Sequence, residues 1–542
     1  MDTRSTKPAN LHHGIFIAGA LILLAVALCY ASSFGGAFIF DDETHVAGNP
    51  DFRSLLPPWR AMFNVRSYVH PVGGLSFAIS HALSGLDSWS YHLMNLLIHM
   101  AAALFLFGAV RRTFLRLRSG SAAHLSTYFA AAVALLWAVH PLQTQSVTYI
   151  YQRYESQMGM FFLMSLYFFI RGVEKPVSRP GWLVASVFAC LLSAGTKQVA
   201  YAIPLLTLLY DRTFVAGSFL QALRARWLYY AALGLSWLLL ILLQSTAPMV
   251  EEIGFDIGIG PFRYALSQLG VVAHYLRLAV WPEPLCFDYG WPVAKSFRDA
   301  AAGAVVLLPL LVATAWALFK RPGLGFLGAW FFLILAPTST FLPIRDLAAE
   351  NRMYLPLVAV VVLFVLALGR VLSLKKAPAL SIIGVLVLVS GALTVKRNVD
   401  YHDPLGMWKD VIAKRPAHFR GWGNAAYYCY LRGDYKNALG HLNKSLELKN
   451  DNPDAYNLLG SIYVRLGKHE EARAAYEAAL RIKPEFADVH NNIGNVLVKL
   501  GRFREADYHL RRAIRYKPGL EEARYNLRML EDKLRAAGKG GR

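Results

Sequence analysis

Charge is scarce in this sequence: Asp, Glu, Lys and Arg make up 17% of 542 residues, and Asp plus Glu number only 35. A chain so poor in charge, with 55% apolar residues and a mean hydropathy of +0.35, is not an ordinary soluble enzyme. Cysteine is scarce too. Cys29, Cys190, Cys286 and Cys429 lie far apart, three of them in or beside apolar runs, which excludes a disulfide framework and any zinc-type ligand spacing. The net charge of +21 would suit a nucleic-acid binder if it formed one patch. Over roughly the first 396 residues, however, Lys and Arg fall in short clusters between apolar runs, which is the positive-inside pattern of a membrane protein. From Tyr401 onward the sequence becomes charged and helical, so a membrane domain is followed by a soluble one.

Apolar stretches near the ~20 residues that cross a bilayer run over Gly14–Phe34, Tyr91–Val110, Ser126–His140, Gln157–Ile170, Trp182–Ala194, Val199–Tyr210, Trp227–Leu243, Ala300–Phe319, Leu324–Ala336, Tyr354–Leu372 and Ala379–Val395. The first is longer than a signal-peptide core and reads as a retained span. A twelfth stretch, Phe262–Trp281, carries Arg263, Gln268, His274 and Arg277 and reads as re-entrant or interfacial. With eleven crossings, the basic clusters Arg111–Arg118, Arg171–Arg179, Arg212–Arg226, Lys320 with Arg321, and Lys375 with Lys376 all fall on one side, which the positive-inside rule makes cytoplasmic. The loops 35–90, 140–156, 244–299 and 337–353, and everything after Val395, then lie on the exported side. The expected division is a transmembrane domain over 1–397, a connector over 398–420, repeats over 421–535 and a disordered tail over 536–542. The expected location is the inner membrane, with the C-terminal part in the periplasm.

Past position 420 the sequence repeats every 34 residues: Gly433, Gly467 and Gly501; Ala438, Ala472 and Ala506; Pro484 and Pro518. LGKHEEARAAYEAALRIKP (Leu466–Pro484) resembles the tetratricopeptide repeat (TPR), two antiparallel helices per repeat, with Gly in the turn and Ala at the tight crossing. Such a solenoid presents a concave groove lined by its first helices. Asn457, Asn491 and Asn495 fall on those helices, where amides can grip a peptide backbone, and a protein partner is expected there. A spacer or dimerisation platform is the alternative.

The loop after the first apolar run, GGAFIFDDETHVAGNP, sets Asp41, Asp42 and Glu43 side by side at the membrane surface. A half-buried carboxylate whose pKa is raised by such neighbours suits a general base, and the same group suits a divalent cation. A solvated loop or a helix cap is the bland reading. His70, His92, His99 and His140 invite a metal reading, but His92 and His99 are seven apart and are expected to bond between helices, whereas His140 in HPLQTQ is expected to line a site. Tyr68, Trp59, Trp89 and Trp281 suit interfacial belts or sugar stacking.

An acidic pair opening the first exported loop is similar to the signature of the GT-C glycosyltransferases. The wider pattern resembles the transmembrane-and-TPR protein O-mannosyltransferases and their bacterial relatives. The blocks that carry it are FDDETHVAGNP (Phe40–Pro50), LSGLDSWSYHLMNLLIHM (Leu83–Met100), AVHPLQTQSVTYIYQRYE (Ala138–Glu155), AGTKQVAYAIPLLTLLYD (Ala194–Asp211) and PTSTFLPIRDLAAENRMYLP (Pro337–Pro356). With the repeats they span nearly the whole chain. His70-Pro71 stands where Arg-Pro is expected, Lys197-Gln198 where Lys-Glu is expected, and Gln152 where relatives often have Gly.

The resemblance implies an all-α fold, a polytopic helix bundle with a C-terminal TPR solenoid. It implies an inverting transferase that moves a sugar from a polyprenyl-phosphate donor to an acceptor hydroxyl, Ser or Thr of an exported protein. A lipid or glycan acceptor, and a non-catalytic scaffold, are the alternatives. Asp41 and Asp42 would be catalytic, and which of them is the base stays open. Arg352, with Glu350 as orienting partner, and then Arg153 and Lys197 would meet the donor phosphate, since guanidinium and ammonium groups suit phosphate. Snorkelling anchors are the plainer reading of all three. Glu43, His70, His140, Glu155, Arg345 and Glu350 would line the site. The partners implied are the lipid-linked donor, a protein acceptor and membrane lipids, with no nucleic acid; no cofactor is required beyond a candidate divalent cation.

Overall fold

Among the described residues each of the eleven apolar stretches is largely helical. The computed structural model describes residues 8–63, 70–117, 123–174, 179–246, 258–371 and 376–539, and among these there is no β-strand. Tyr68 and parts of the basic clusters lie outside the described residues. The first unit contains α1 (Pro8–Tyr30), α2 (Trp59–Met62), α3 (Pro71–Ser84), α4 (Trp89–Leu117), α5 (Ala123–Ala138), α6 (Thr144–Val147), α7 (Arg153–Glu174), α8 (Arg179–Ala194), α9 (Ala202–Asp211) and α10 (Phe219–Thr246). It continues with α11 (Pro261–Val280), α12 (Phe297–Lys320), α13 (Pro322–Leu335), α14 (Leu357–Val371) and α15 (Lys376–Val399).

This unit is that of a multi-pass membrane protein. Along α12 the side chains of Val305, Val312, Trp316 and Phe319 are all exposed, Phe319 by 78%, which only an apolar surrounding tolerates. Among the described residues six helices are long and apolar enough to cross a membrane, or seven if Leu125–Ala138 and Pro141–Val147, bent by 56°, count as one span. The remaining expected spans are the shorter helices Pro180–Ala194, Pro322–Leu335 and Leu357–Val371, and α7, whose first turns carry Arg153, Glu155 and Gln157. Eleven is therefore the sequence count, and six or seven is the count by helix length and composition.

Inside the bundle, polar side chains cap backbone groups that broken helices leave open. The turn Glu350–Met353 and Pro356 interrupt the chain before α14, and the freed carbonyls of Tyr354 and Leu355 accept the indole N–H groups of Trp137 (2.8 Å) and Trp330 (2.8 Å). His99 lies 2.9 Å from both the Tyr354 hydroxyl and the Ala138 carbonyl, and His92 lies 3.2 Å from the Gly36 carbonyl. Both histidines thus bond between elements. The polar residues of α11 are used in the same way. The Tyr264 hydroxyl donates to the Thr338 carbonyl (2.6 Å), Gln268 donates to the Leu347 carbonyl (3.0 Å), and the Tyr275 hydroxyl accepts the Ala349 N–H (2.7 Å). This helix therefore holds the 337–349 loop.

The second unit is built from α16 (Pro404–Lys414), α17 (Phe419–Leu431), α18 (Tyr435–Leu448), α19 (Pro453–Arg465), α20 (His469–Ile482), α21 (Ala487–Lys499), α22 (Phe503–Tyr516) and α23 (Glu521–Lys539). Gly433, Gly467 and Gly501 turn between the helices of each pair with φ of +77°, +75° and +74°, the left-handed region that favours glycine. Ala438, Ala472 and Ala506 are each fully buried at the crossings. Two boundaries differ from the sequence reading. The expected connector is largely helix, since α15 runs to Val399 and α16 begins at Pro404, and the expected disordered tail is helical to Lys539, with 540–542 outside the described residues. The second unit also recruits Asp288–Gly290 from the loop between α11 and α12. The Asp288 carboxylate accepts both arms of the Arg420 guanidinium (2.6 and 2.9 Å) and lies 2.9 Å from His418 Nε2.

The first helices carry a ladder of amides. Asn492 donates to Asn457 Oδ1 (3.0 Å), and Asn526 donates to Asn491 Oδ1 (2.8 Å), so each bond links one repeat to the next. Asn491 is buried, and this corrects its expected role: its amide ties repeats together instead of facing an open groove. Asn457 is half-buried and spends its carbonyl in the same way, whereas Asn495 is half-buried on the same helix as Asn491. Asn491→Ala is expected to loosen the repeats by about 1–2 kcal/mol, the net worth of one buried hydrogen bond plus the unpaired Asn526 amide. Faster cleavage of residues 404–539 under limited proteolysis would show it.

Candidate active site

The acidic loop is built on unusual backbone. After α1 and a short turn over Ala31–Gly35, Phe40 takes a positive φ of 51°, and a π-helical turn follows over Asp42–Ala47. A non-glycine residue in the left-handed region costs energy and persists where surrounding contacts enforce it, and π turns recur at functional sites. Here the enforcing contacts involve the aspartates. Asp42 is fully buried; its Oδ2 accepts the Ile39 N–H (3.1 Å) and its Oδ1 accepts the Tyr151 N–H (2.6 Å). Burial pushes this carboxyl well above the usual carboxylate range; the two N–H donors oppose the shift, while the charges of Asp41 and Glu43 add to it. Asp41 is half-buried, with its N–H donating to the Tyr149 hydroxyl (3.1 Å). Glu43 is half-buried beside them.

The platform beneath the aspartates is the block from His140 to Glu155. His140 Nδ1 accepts the Leu142 N–H (3.2 Å) and fixes the turn Pro141–Gln143. Three glutamines then tie the platform to the rest of the unit. Gln143 donates to the Tyr354 carbonyl (3.4 Å), Gln145 accepts the Asn351 N–H (2.8 Å) and donates to the Phe287 carbonyl (3.0 Å), and Gln152 accepts from the Asn351 amide (2.7 Å). The Thr148 hydroxyl donates to Asn398 (2.5 Å) at the end of α15.

Glu350 and Arg352 do not pair as expected. Glu350 is buried and accepts the Cys286 N–H (2.6 Å). The Arg352 guanidinium donates to the carbonyls of Leu347 (2.8 Å), Thr338 (3.4 Å) and Asp346, so it closes the 337–347 loop on itself and leaves Arg345 exposed.

A second cluster adjoins the platform through Tyr154, whose ring lies 5.4 Å from that of Tyr151 and 4.9 Å from that of His70. Lys197 pairs with Glu155 at 2.9 Å, and Val72 N–H donates to the Gly195 carbonyl (3.0 Å), which joins the His70-Pro71 and Lys197-Gln198 segments. Burial and then the Lys197 charge push the His70 imidazole down to about 3, so it is neutral at physiological pH.

Arg153 is a correction. It is fully buried, with Nε on Asn95 Oδ1 (2.6 Å), one arm on the Ser76 carbonyl (2.9 Å) and the Ser80 hydroxyl (3.1 Å), and the other on the Tyr91 carbonyl (2.9 Å). Its face lies 4.4 Å over the Phe77 ring. A guanidinium enclosed in this way spends its donors on protein oxygens.

Among the described residues no three His, Cys, Asp or Glu side chains gather as metal ligands. With both Asp42 oxygens engaged by backbone N–H groups, the donor set does not fit a protein-held divalent cation. An apolar cavity of about 740 Å3, lined by Phe114, Leu125, Phe129, Leu324, Leu366 and Ile383 among others, contains none of these site residues. The sequence reading missed Tyr149, Tyr151, Phe287 and Asn351. The signal for the tyrosines was their place beside Arg153 in a resembling block, but Tyr151 acts through its backbone, which no side-chain pattern marks.

Comparison with known proteins bears on both units. A TPR repeat model matches residues 426–467 and 460–501, and a tetratricopeptide repeat model matches 487–519. The mouse protein O-mannosyl-transferase TMTC3 is 24% identical over 85% of this chain and 54% of its own length. The human protein O-mannosyl-transferase TMTC4 is 26% identical over 68% of this chain and 58% of its own length. The chain thus spans a little over half the length of these curated relatives. The crystal structure of ArnT from Cupriavidus metallidurans bound to undecaprenyl phosphate is 17% identical, covering 86% of this chain and 80% of that one, with a TM-score of 0.38, too loose a likeness to build on. The C-terminal helices are tetratricopeptide repeats, and over most of its length the chain is similar to the protein O-mannosyl-transferases named above.

Proposed function

We propose that this chain is an inverting GT-C-type glycosyltransferase, taking a sugar, mannose by the names of its relatives, from a polyprenyl phosphate to Ser or Thr of an exported protein. The observation that carries the reading is the docking of Asp41 and Asp42 onto Tyr149 and Tyr151, where the resembling blocks converge. Buried Asp42 anchors the turn, and half-buried Asp41 is the base. The acceptor oxygen bonds to the anomeric carbon as the bond from that carbon to the phosphate oxygen breaks. The electron pair leaves with the lipid phosphate, and the hydroxyl proton goes to Asp41. One displacement inverts the anomeric centre.

Lys197, whose side chain is 18% exposed beside His70, is the cation that meets the phosphate, while Arg352 shapes the loop that presents Arg345. The repeats hold the protein acceptor, with Asn495 among the contacting groups, and so raise its effective concentration. Positive-inside parity supports an inner-membrane protein with the acidic loop and the repeats on the exported side. Mass spectrometry of exported proteins from cells with and without the gene tests the reading. Hexose-bearing Ser or Thr peptides should vanish with the gene and return on complementation. Unchanged peptides, or a sugar lost only from lipid or glycan, would overturn it.

A further inference from the structure

The apolar cavity of about 740 Å3 has a chemistry of its own. Helices α14 and α15 both pack against α5, and the space that they bound is closed further by Phe114 of α4 and Leu324 of α13. Each of these five helices contributes the end beside a basic cluster. Phe114 lies within Arg111–Arg118, Ser126 is in the first turn of α5 just after that cluster, and Leu324 follows Lys320 and Arg321. Arg370 is in the last turn of α14, and Ile383 follows Lys375 and Lys376 on α15. The transfer site is remote from this end. Along α4, Phe114 is about 28 Å from Asn95, the partner of Arg153, at ~1.5 Å rise per residue.

Arg370, Ser126 and Tyr128 are the polar residues of the lining, and no Asp or Glu joins them. Arg370 is exposed and, among the described residues, makes no ion pair. The neighbouring arginines are already spent, Arg112 on Glu174 and Arg111 on the Thr127 hydroxyl (3.0 Å). Ser126 is 1% exposed, and its hydroxyl has no hydrogen-bond partner among the described residues. The geometry points to a resident lipid site: an acyl chain of an anionic phospholipid fills the cavity, and its head group meets Arg370. Basic pockets between membrane helices on the cytoplasmic side suit such head groups, and the positive-inside rule makes this the cytoplasmic leaflet. The volume falls within the ~300–1,000 Å3 of ligand sites. A buried hydroxyl without a partner is costly, and the ester oxygens of a phospholipid are acceptors that the chain of a polyprenyl phosphate lacks.

The test uses the full chain in detergent, washed free of lipid, with dioleoyl phosphatidylglycerol and dioleoyl phosphatidylcholine as probes and native mass spectrometry as the readout. The wild type should hold phosphatidylglycerol about fivefold more tightly than phosphatidylcholine, the worth of one basic side chain near a membrane surface. Arg370→Gln should remove that preference and leave the phosphatidylcholine affinity within about twofold. Ala367→Trp, at an exposed lining position of α14, should exclude both lipids by filling the space. If that variant does not fold, Leu363→Trp, exposed and one turn earlier, is read in its place. Equal affinity of the wild type for the two lipids, a preference that survives Arg370→Gln, or a lipid that survives the tryptophan would overturn the inference. So would displacement of the bound phosphatidylglycerol by a polyprenyl phosphate, which would assign the cavity to a donor carrier. Sugar transfer is not measured, so this outcome and that of the proposed function are separate.

Discussion

Asp41→Asn is expected to lower kcat/KM for sugar transfer by on the order of a thousandfold, within the range seen when a general base is lost, while the melting temperature stays near the wild-type value. The amide is the same size and leaves the backbone bond from residue 41 to the Tyr149 hydroxyl in place, so only proton acceptance is removed. Asp42→Asn should behave differently. Its two oxygens accept N–H groups from Ile39 and Tyr151, and an amide nitrogen set against either of them places donor against donor. The expected cost is about 1–3 kcal/mol, seen as a lower melting temperature along with lost activity. Full activity in Asp41→Asn at normal stability would remove Asp41 from the chemistry.

The second large effect is on stability. Arg153→Met leaves Asn95, the Ser76 carbonyl and the Tyr91 carbonyl without their donor in a fully buried place. At about 1–3 kcal/mol for each unsatisfied group, several kcal/mol of destabilisation follow, enough to remove most folded protein. The yield of monodisperse protein in detergent and its melting temperature measure this. A well-folded Arg153→Met enzyme with only a raised donor KM would show a phosphate-binding role for Arg153 in place of this structural one.

Arg153 also shows where reading from sequence stops. Its charge near a span end is visible, but its role depends on oxygens contributed by Ser76, Ser80, Tyr91 and Asn95, and nothing local marks their approach. The same holds for Arg352, whose carbonyl partners are created by the course of the 337–347 loop. What was legible was local and periodic: the apolar runs, which fold as helices, and the 34-residue spacing, which puts Gly433, Gly467 and Gly501 in left-handed turns. Asp41 and Asp42 were legible because adjacent acids after an apolar helix are costly without a purpose. Their different burial could not be seen, since it is set by the distant Tyr149 and Tyr151. Asn491 was placed correctly on a first helix and misread in role, because its partner Asn526 sits one repeat further on.

The recruitment of Asp288 by the repeats bears on modularity. A fragment beginning at Pro404 would contain every repeat helix and still be incomplete, because the carboxylate that engages Arg420 and His418 is encoded more than a hundred residues upstream. Grafting these repeats onto another protein, or exchanging them for a relative's, would leave a guanidinium facing an empty socket unless the loop travelled with them. Recombination at the apparent boundary is therefore penalised. Substitutions at Asp288 and Arg420 should be inherited as a pair even though one is written among the membrane helices and the other among the repeats.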